Sequence, residues 1–413
     1  MIKTLKKILT AIGPGIMAIG FTIGTGSVTS MIVAGSRFGM QLLWVLILSC
    51  LFSWVLMNAY GRFSLVSNQT ALSGIRKNIK YGNWIAIFII VGISFGQINS
   101  LIGILGIVSN SIFELSSLYV PELSRSSYSF ILSTSILILL IFYYLLWKGS
   151  YTLFEKVLVV FVVLMGLSFL GSLFVLHPSL SEVSRGFILT IPQVNEGNTL
   201  VVAFVGTTMA AATFISRPLF LKGKGWNSSN LKEQENDAMW SALLILIISS
   251  SIMAVATAAL YSQGKVVEKV LDMIYTLEPI AGRMAVIIFF LGTLSAGLSS
   301  IFPILMITPL MISDFQNGEM DTNSKQFKII TGIICVIGLY APLVGANPIK
   351  IQILSQVFNV FVLPLVILAI IIMVNKKSIM GENKAGLLLN IGLFAAGFFS
   401  ILITINGLKV LFF

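Results

Sequence analysis

Ile23-Gly24-Thr25-Gly26-Ser27 lies inside a membrane-length apolar segment, residues 9–34, and Val205-Gly206-Thr207-Thr208-Met209 lies inside another, residues 199–221. Lipid offers no partner for a free N–H or C=O. Unwound backbone at the bilayer midplane therefore survives only where protein, water or a substrate satisfies it. Paired interruptions of this kind point to the binding site of a transporter. Ordinary helix packing has another signature: small residues every third or fourth position, as in Gly92-x-x-x-Gly96. At the two interruptions, small and polar residues run together from Gly24 to Ser30 and from Gly206 to Thr213, with Val28 and Met209 the exceptions.

The surrounding chain is a membrane protein. It has 413 residues, 57% hydrophobic and 10% charged, with a mean hydropathy of +0.99, too little polar surface to coat a soluble core. Apolar stretches of about 20 residues or more read as spans. They run roughly over 9–34 (broken), 41–60, 83–112, 128–147, 152–176, 199–221 (broken), 238–261, 281–313, 328–346, 351–374 and 386–412. The first and sixth are the broken ones, so the first ten divide into two sets of five. Because five is odd, the halves enter the membrane from opposite sides, which is an inverted repeat of the leucine-transporter fold. The expectation is an all-α membrane protein forming one transmembrane domain over 1–413: repeat one about 9–176, repeat two about 199–374, and an extra helix about 386–412.

The net charge of +11 could suggest nucleic acid, but its placement argues for topology. With the N-terminus cytoplasmic, the inner segments hold 18 of the 26 basic residues: Lys3, Lys6, Lys7, Arg62, Arg76, Lys77, Lys80, Lys148, Lys156, Arg217, Lys222, Lys224, Lys232, Lys325, Lys328, Lys376, Lys377 and Lys384. The outer segments hold the other eight, among them Arg125, Lys265 and Lys350. This positive-inside bias sets the N-terminus inside and the C-terminus outside, in an integral protein of a bacterial inner membrane.

Lys3, Lys6 and Lys7 do not open a cleaved signal peptide, because Gly13-Pro14-Gly15 interrupts the apolar run and no small-x-small site follows. Cys50 and Cys335 lie inside spans without metal-ligand spacing and read as packing residues. Asn68 and Asn227 open glycosylation patterns on the inner side, where they are chance matches.

Several motifs in order resemble the NRAMP family of divalent-metal transporters. Gly13-Pro14-Gly15 and Ala34-Gly35-Ser36-Arg37-Phe38-Gly39 are similar to that family's GPG and AGSxFG. Ala296-Gly297-Leu298-Ser299-Ser300 is similar to AGQSS. Leu354-Ser355-Gln356-Val357 with Leu363-Pro364, then Met380-Gly381-Glu382, complete the match. The resemblance implies the leucine-transporter fold and uptake of manganese or iron with protons. The departures fall where that chemistry sits. The family's Asp-Pro-Gly-Asn falls on Gly24-Thr25-Gly26-Ser27, and its Met-Pro-His on Ala210-Ala211-Ala212. Its second histidine falls on Arg217, and the acidic pair of its proton route on Gln97 and Ser100.

None of the 15 acidic residues lies in the middle of a span by these boundaries, and the single histidine, His177, reads as interfacial. A bare Mn²⁺ or Fe²⁺ demands donors that replace its hydration, usually including a charged one. A hydrated ion is easier to hold with neutral oxygens, because Mg²⁺ gives up water reluctantly. NRAMP relatives with Ala in place of the span-6 Met are associated with magnesium, which the resemblance extends to Ala210. The expected function is a secondary transporter working by alternating access, with Mg²⁺ or hydrated Mn²⁺ favoured over bare Fe²⁺ and with weak or absent proton coupling.

An alternative is an amino acid or other small polar organic solute. Ile23-Gly24-Thr25-Gly26 is similar to the Ile-Gly-Ser-Gly break of amino-acid permeases, where free N–H groups hold a carboxylate. A membrane protein that senses a ligand without carrying it is a third reading. No nucleophile–base pair, metal cluster or phosphate loop marks an enzyme, and no cofactor is implied.

The expected substrate contacts are Gly24, Thr25, Gly26, Ser27, Thr207, Thr208, Met209, Ala210, Thr213 and Gln356. Gln97, Asn359 and Arg217 are expected as gates or polar pathway residues, with Arg217 snorkelling to the inner interface. The partners are an ion or small-molecule substrate and the lipid bilayer, not nucleic acid. Oligomeric state is not legible in the sequence.

Overall fold

The computed structural model describes residues 15–117, 119–148, 151–176, 178–192, 195–267 and 270–412. The Lys3, Lys6 and Lys7 cluster, Gly13, Pro14, His177 and Lys269 lie outside the described residues. Every regular element among the described residues is helical, as a bilayer requires of backbone that must satisfy itself within one segment. The first half contains α1 (Gly15–Thr22), α2 (Thr25–Phe38), α3 (Leu43–Ser67), α4 (Ala71–Asn78), α5 (Gly82–Ser117), α6 (Ser127–Lys148), α7 (Tyr151–Val175) and the short α8 (Leu180–Arg185). The second contains α9 (Asn195–Thr208), α10 (Ala211–Gly223), α11 (Leu231–Ala259), α12 (Val270–Asn317), α13 (Lys325–Gly338), α14 (Tyr340–Val344), α15 (Pro348–Val360), α16 (Leu363–Asn375), α17 (Lys377–Met380) and α18 (Leu387–Phe412). Among the described residues, ten spans are long and apolar enough to cross a membrane, and the bent pair α1–α2 makes an eleventh.

Both expected breaks are present, and they differ. Helix α1 meets α2 at 51°, after its ladder ends with Ile23 N–H on the Ile19 carbonyl at 2.7 Å. The α2 ladder restarts with Val28 N–H on the Gly24 carbonyl at 3.0 Å. Gly24 is extended, a conformation open to any residue, so its need for glycine comes from packing: a Cβ would overlap the Ser300 side chain. The second break is milder. Met209 and Ala210 separate α9 from α10, yet the two count as one span. Gly206 brings α9 onto α15 so closely that a Cβ would overlap the Gln356 carbonyl.

Burial ranks the spans. The window in Gly197–Gly223 is 94% buried, whereas that in α18 is 22% buried, so the sixth span is central and α18 peripheral. Around the centre, α11 packs on α2 and α3, α12 on α5 and α7, and α15 on α5 and α9. Large apolar side chains such as Phe174, Leu388 and Phe398 stand exposed on the perimeter, which in water would be prohibitive and in lipid is the required solvent face.

Several boundaries differ from the sequence reading, and two of the differences bury a carboxylate. Helix α11 begins at Leu231 rather than 238, and α12 continues to Asn317 rather than 313. These extra turns carry Asp237 and Asp314, both fully buried. Asp314 accepts from the Thr70 hydroxyl and from Leu72 and Ser73 N–H at 3.1 and 3.3 Å. It thereby satisfies the first turn of α4, whose own N-terminal residue supplies no cap.

Candidate functional site

The two breaks face one another across a chamber closed down to about 10 Å³, room for about one water. Gly24 and Gly26 enter its wall from the start of α2, and Thr207 and Ala210 from the second break. Gln97 and Ser100 come from α5, Ser300 from α12, and Gln352, Gln356 and Asn359 from α15. The α15 residues recur every three or four positions, so they stack on one helix face.

These side chains are linked. Gln97 Nε2 donates to Asn359 Oδ1 at 3.4 Å, and Asn359 Nδ2 to Gln356 Oε1 at 3.2 Å. Gln356 Nε2 donates to the Ser100 and Ser355 hydroxyls at 3.3 and 3.1 Å. An amide's oxygen and nitrogen are told apart by their partners, and for Gln352 the neighbours decide it. Its oxygen accepts from Gly26 N–H and from Gln356 Nε2, both at 3.0 Å, while its nitrogen donates to the Ser100 carbonyl at 2.9 Å. Gln352 thus supplies in trans the cap that Gly24, at the head of α2, does not provide.

The carbonyls freed by the breaks divide into two groups. Ser300, Thr207 and Ser53 hydroxyls donate to the Gly20, Thr22 and Thr208 carbonyls at 2.7, 3.0 and 2.7 Å. The Phe21, Gly206 and Thr207 carbonyls accept no backbone hydrogen bond across the breaks. The hydroxyls of Thr22, Thr25, Thr208 and Thr213 are buried without a partner. Those four hydroxyls lie outside the chamber wall, whose polar side chains are the amides of Gln97, Gln352, Gln356 and Asn359 and the hydroxyls of Ser100, Thr207 and Ser300, with no formal charge. Among the described residues no group of three or more His, Cys, Asp or Glu could hold a metal ion.

Of the contacts expected from sequence, Gly24, Gly26, Thr207, Ala210, Gln356, Gln97 and Asn359 line the chamber. Ser27 turns away to α11, its hydroxyl 3.2 Å from that of Ser249. Thr25, Thr208, Met209 and Thr213 are buried outside the wall. Gln352 was missed, although it stands one turn before Gln356 in the same polar stripe.

The expectation that Arg217 snorkels to the interface is wrong. Its side chain is 2% exposed and Nη2 lies 2.9 Å from Asp237 Oδ2. The same nitrogen donates to the Gln234 carbonyl and side-chain oxygen at 3.2 and 3.0 Å. Asp237 Oδ1 also accepts from Gly15 N–H at 3.2 Å. The reason is the early start of α11, which carries a buried carboxylate to meet the guanidinium, and a desolvated charge pair is retained only when its other bonds are also made.

The comparisons with known proteins agree with this architecture. A family model described as Natural resistance-associated macrophage protein-like, or Nramp, matches residues 15–409. A divalent metal cation transporter MntH from Vibrio campbellii is 25% identical over 388 residues, covering 92% of this chain and 87% of the relative. An MntH from Klebsiella pneumoniae is 23% identical over 392 residues, covering 91% and 88%. Among solved structures, a mutant of the Eremococcus coleocola manganese transporter superposes with a TM-score of 0.75 at 15% identity, covering 98% of this chain and 86% of that one. MhsT in complex with L-phenylalanine superposes with a TM-score of 0.62 at 15% identity, covering 97% of each chain. With the family model spanning nearly all of its length on a leucine-transporter fold, the chain belongs to the Nramp family of membrane transporters and is not an enzyme.

Proposed function

We propose that this protein carries a divalent cation with water still attached, Mg²⁺ or hydrated Mn²⁺, by alternating access around the chamber between the two breaks. The observation that carries the reading is the chemistry of the wall: amide and hydroxyl oxygens and no carboxylate. Such neutral oxygens hold an ion through its water shell, whereas a stripped Mn²⁺ or Fe²⁺ calls for charged or soft ligands. The similar MntH proteins are divalent metal cation transporters, which supports a metal as cargo. The chamber is too small for a hydrated ion in this occluded form, so loading requires the bundle of α1–α2 and α9–α10 to rock against the rest.

The organic-solute alternative is weaker. A substrate carboxylate would rest on the N–H groups at the start of α2, and Gln352 already occupies Gly26 N–H at 3.0 Å. Proton coupling is weak or absent, because neither Gln97 nor Ser100 titrates near neutral pH. The N-terminus is cytoplasmic by the positive-inside bias. The test is uptake by purified protein in liposomes down imposed metal gradients. Flux of Mg²⁺ and Mn²⁺ exceeding that of Fe²⁺ is expected. Absence of flux for all three would overturn the reading.

A further inference from the structure

On the face of the molecule at the C-terminal end of α5 lies a second, larger cavity of about 440 Å³. Gly106, Asn110 and Glu114 of α5, Tyr128 of α6, and Asn347 and Pro348 at the head of α15 form its principal walls. Glu114 is the one charged side chain among its lining residues. It is half-buried, and among the described residues no ion pair or side-chain hydrogen bond engages its carboxylate. Asn110 uses its Nδ2 on the Gly106 carbonyl at 2.7 Å, which leaves its oxygen free to accept. An unpaired carboxylate with an amide oxygen and a phenol beside it, in a space of this size, suits a cation that keeps its first water shell.

The cavity is aligned with the chamber. Gly103, Gly106, Asn110 and Glu114 recur at three- and four-residue spacing, so they share one face of α5, and that face continues to Ser100, which lines the chamber. Gly106 and Ser100 are about 9 Å apart along the helix axis at 1.5 Å per residue. The partition between them is thin. A Cβ on Gly106 would lie 2.6 Å from Pro348 Cβ, and one on Gly103 would overlap the Gln352 side chain. The residue that seals the partition, Gln352, is the one that caps α2.

We propose that this vestibule is a loading site for a hydrated divalent cation, with Glu114 as the charge that draws the ion in. Asn110 and Tyr128 hold its water, and the Gly106–Pro348 contact with Gln352 separates it from the chamber. The inference rests on the divalent-cation reading and on the orientation that puts this face outside. A single carboxylate at a mouth acts mainly on the association rate and is screened by salt.

The test places a fluorophore on Ser126→Cys, exposed beside the vestibule, in a Cys50→Ala/Cys335→Ala background in nanodiscs, and titrates Mn²⁺ as a paramagnetic quencher. Saturable quenching is expected. Glu114→Gln should shift it at least about fivefold to higher Mn²⁺ at low ionic strength, and Glu114→Asp, which keeps the charge, should restore most of it. In liposomes, Glu114→Gln should raise KM for Mg²⁺ by a similar factor and leave kcat within about twofold. Quenching and KM both unchanged in Glu114→Gln, with metal flux intact, would overturn the loading site and leave the transport reading standing. Glu114-dependent quenching in a protein that moves no metal would do the reverse.

Discussion

At the scale of single residues, Arg217 and Asp237 carry the highest stakes. Each is almost fully buried, and each satisfies the other at 2.9 Å. Removing one partner leaves a buried charge without its counter-charge, which costs about 3–5 kcal/mol, whereas replacing both with apolar groups of similar volume is often neutral. Arg217→Met should therefore melt well below wild type in detergent, and Arg217→Met/Asp237→Leu should recover most of the loss. A double variant no more stable than the single would show that the pair is not the source of the effect. The pair was illegible in the sequence because it depends on where α11 starts. Gln234, Asp237 and Ser241 do fall on one face at three- and four-residue spacing, and that polar stripe running into an apolar helix was the available signal.

At the scale of elements, α1 is a short helix fastened at both ends. Its first described N–H, at Gly15, donates to Asp237 of α11, and its last turn gives the Gly20 and Thr22 carbonyls to Ser300 and Thr207. Loosening the fastening at its last turn should free the helix locally. In Ser300→Ala, which leaves the Arg217–Asp237 pair intact, amides of residues 15–22 should exchange with deuterium about threefold faster or more, because a neutral hydrogen bond contributes about 0.5–1.5 kcal/mol. Peptides from α18 should be unaffected, and uniform acceleration across the chain would instead mean global destabilisation.

The breaks themselves were readable, since runs of Gly and Thr violate the spacing of a packing face. What the runs could not reveal was their partner surface. Gln352 and Ser300 stand far along the chain from Gly26 and Gly24, and they meet them only once α12 and α15 have closed over the site. Thr25, Thr208 and Thr213 were indistinguishable by type from Thr207, because which way each hydroxyl turns is set by the bend and not by the local sequence.

At the scale of the whole molecule, composition and the order of the spans were enough to specify the fold. Eleven apolar segments, two of them interrupted, correspond to the ten spans and one bent pair among the described residues. Charge placement argues for an orientation with the N-terminus inside. The chamber gives a further expectation: with Gln97 and Ser100 where a proton route would need acids, metal uptake should not acidify the liposome interior at a fixed ratio of protons to metal. A pH-sensitive dye trapped inside measures this, and a constant ratio across external pH would contradict the neutral-site account.

That same neutrality has an energetic corollary. A wall of amides and hydroxyls lends no negative charge to what it holds, so under the transport cycle proposed above a divalent cation would cross with both charges uncompensated and the empty carrier would return with none. The membrane potential then acts only on the loaded step. At about 2.3 kcal/mol per charge for each 100 mV, two charges gain about 4.6 kcal/mol, or about three decades of accumulation at equilibrium. The proposed cycle would then need no second ion to run uphill, because a voltage negative on the side of release would by itself draw the metal across.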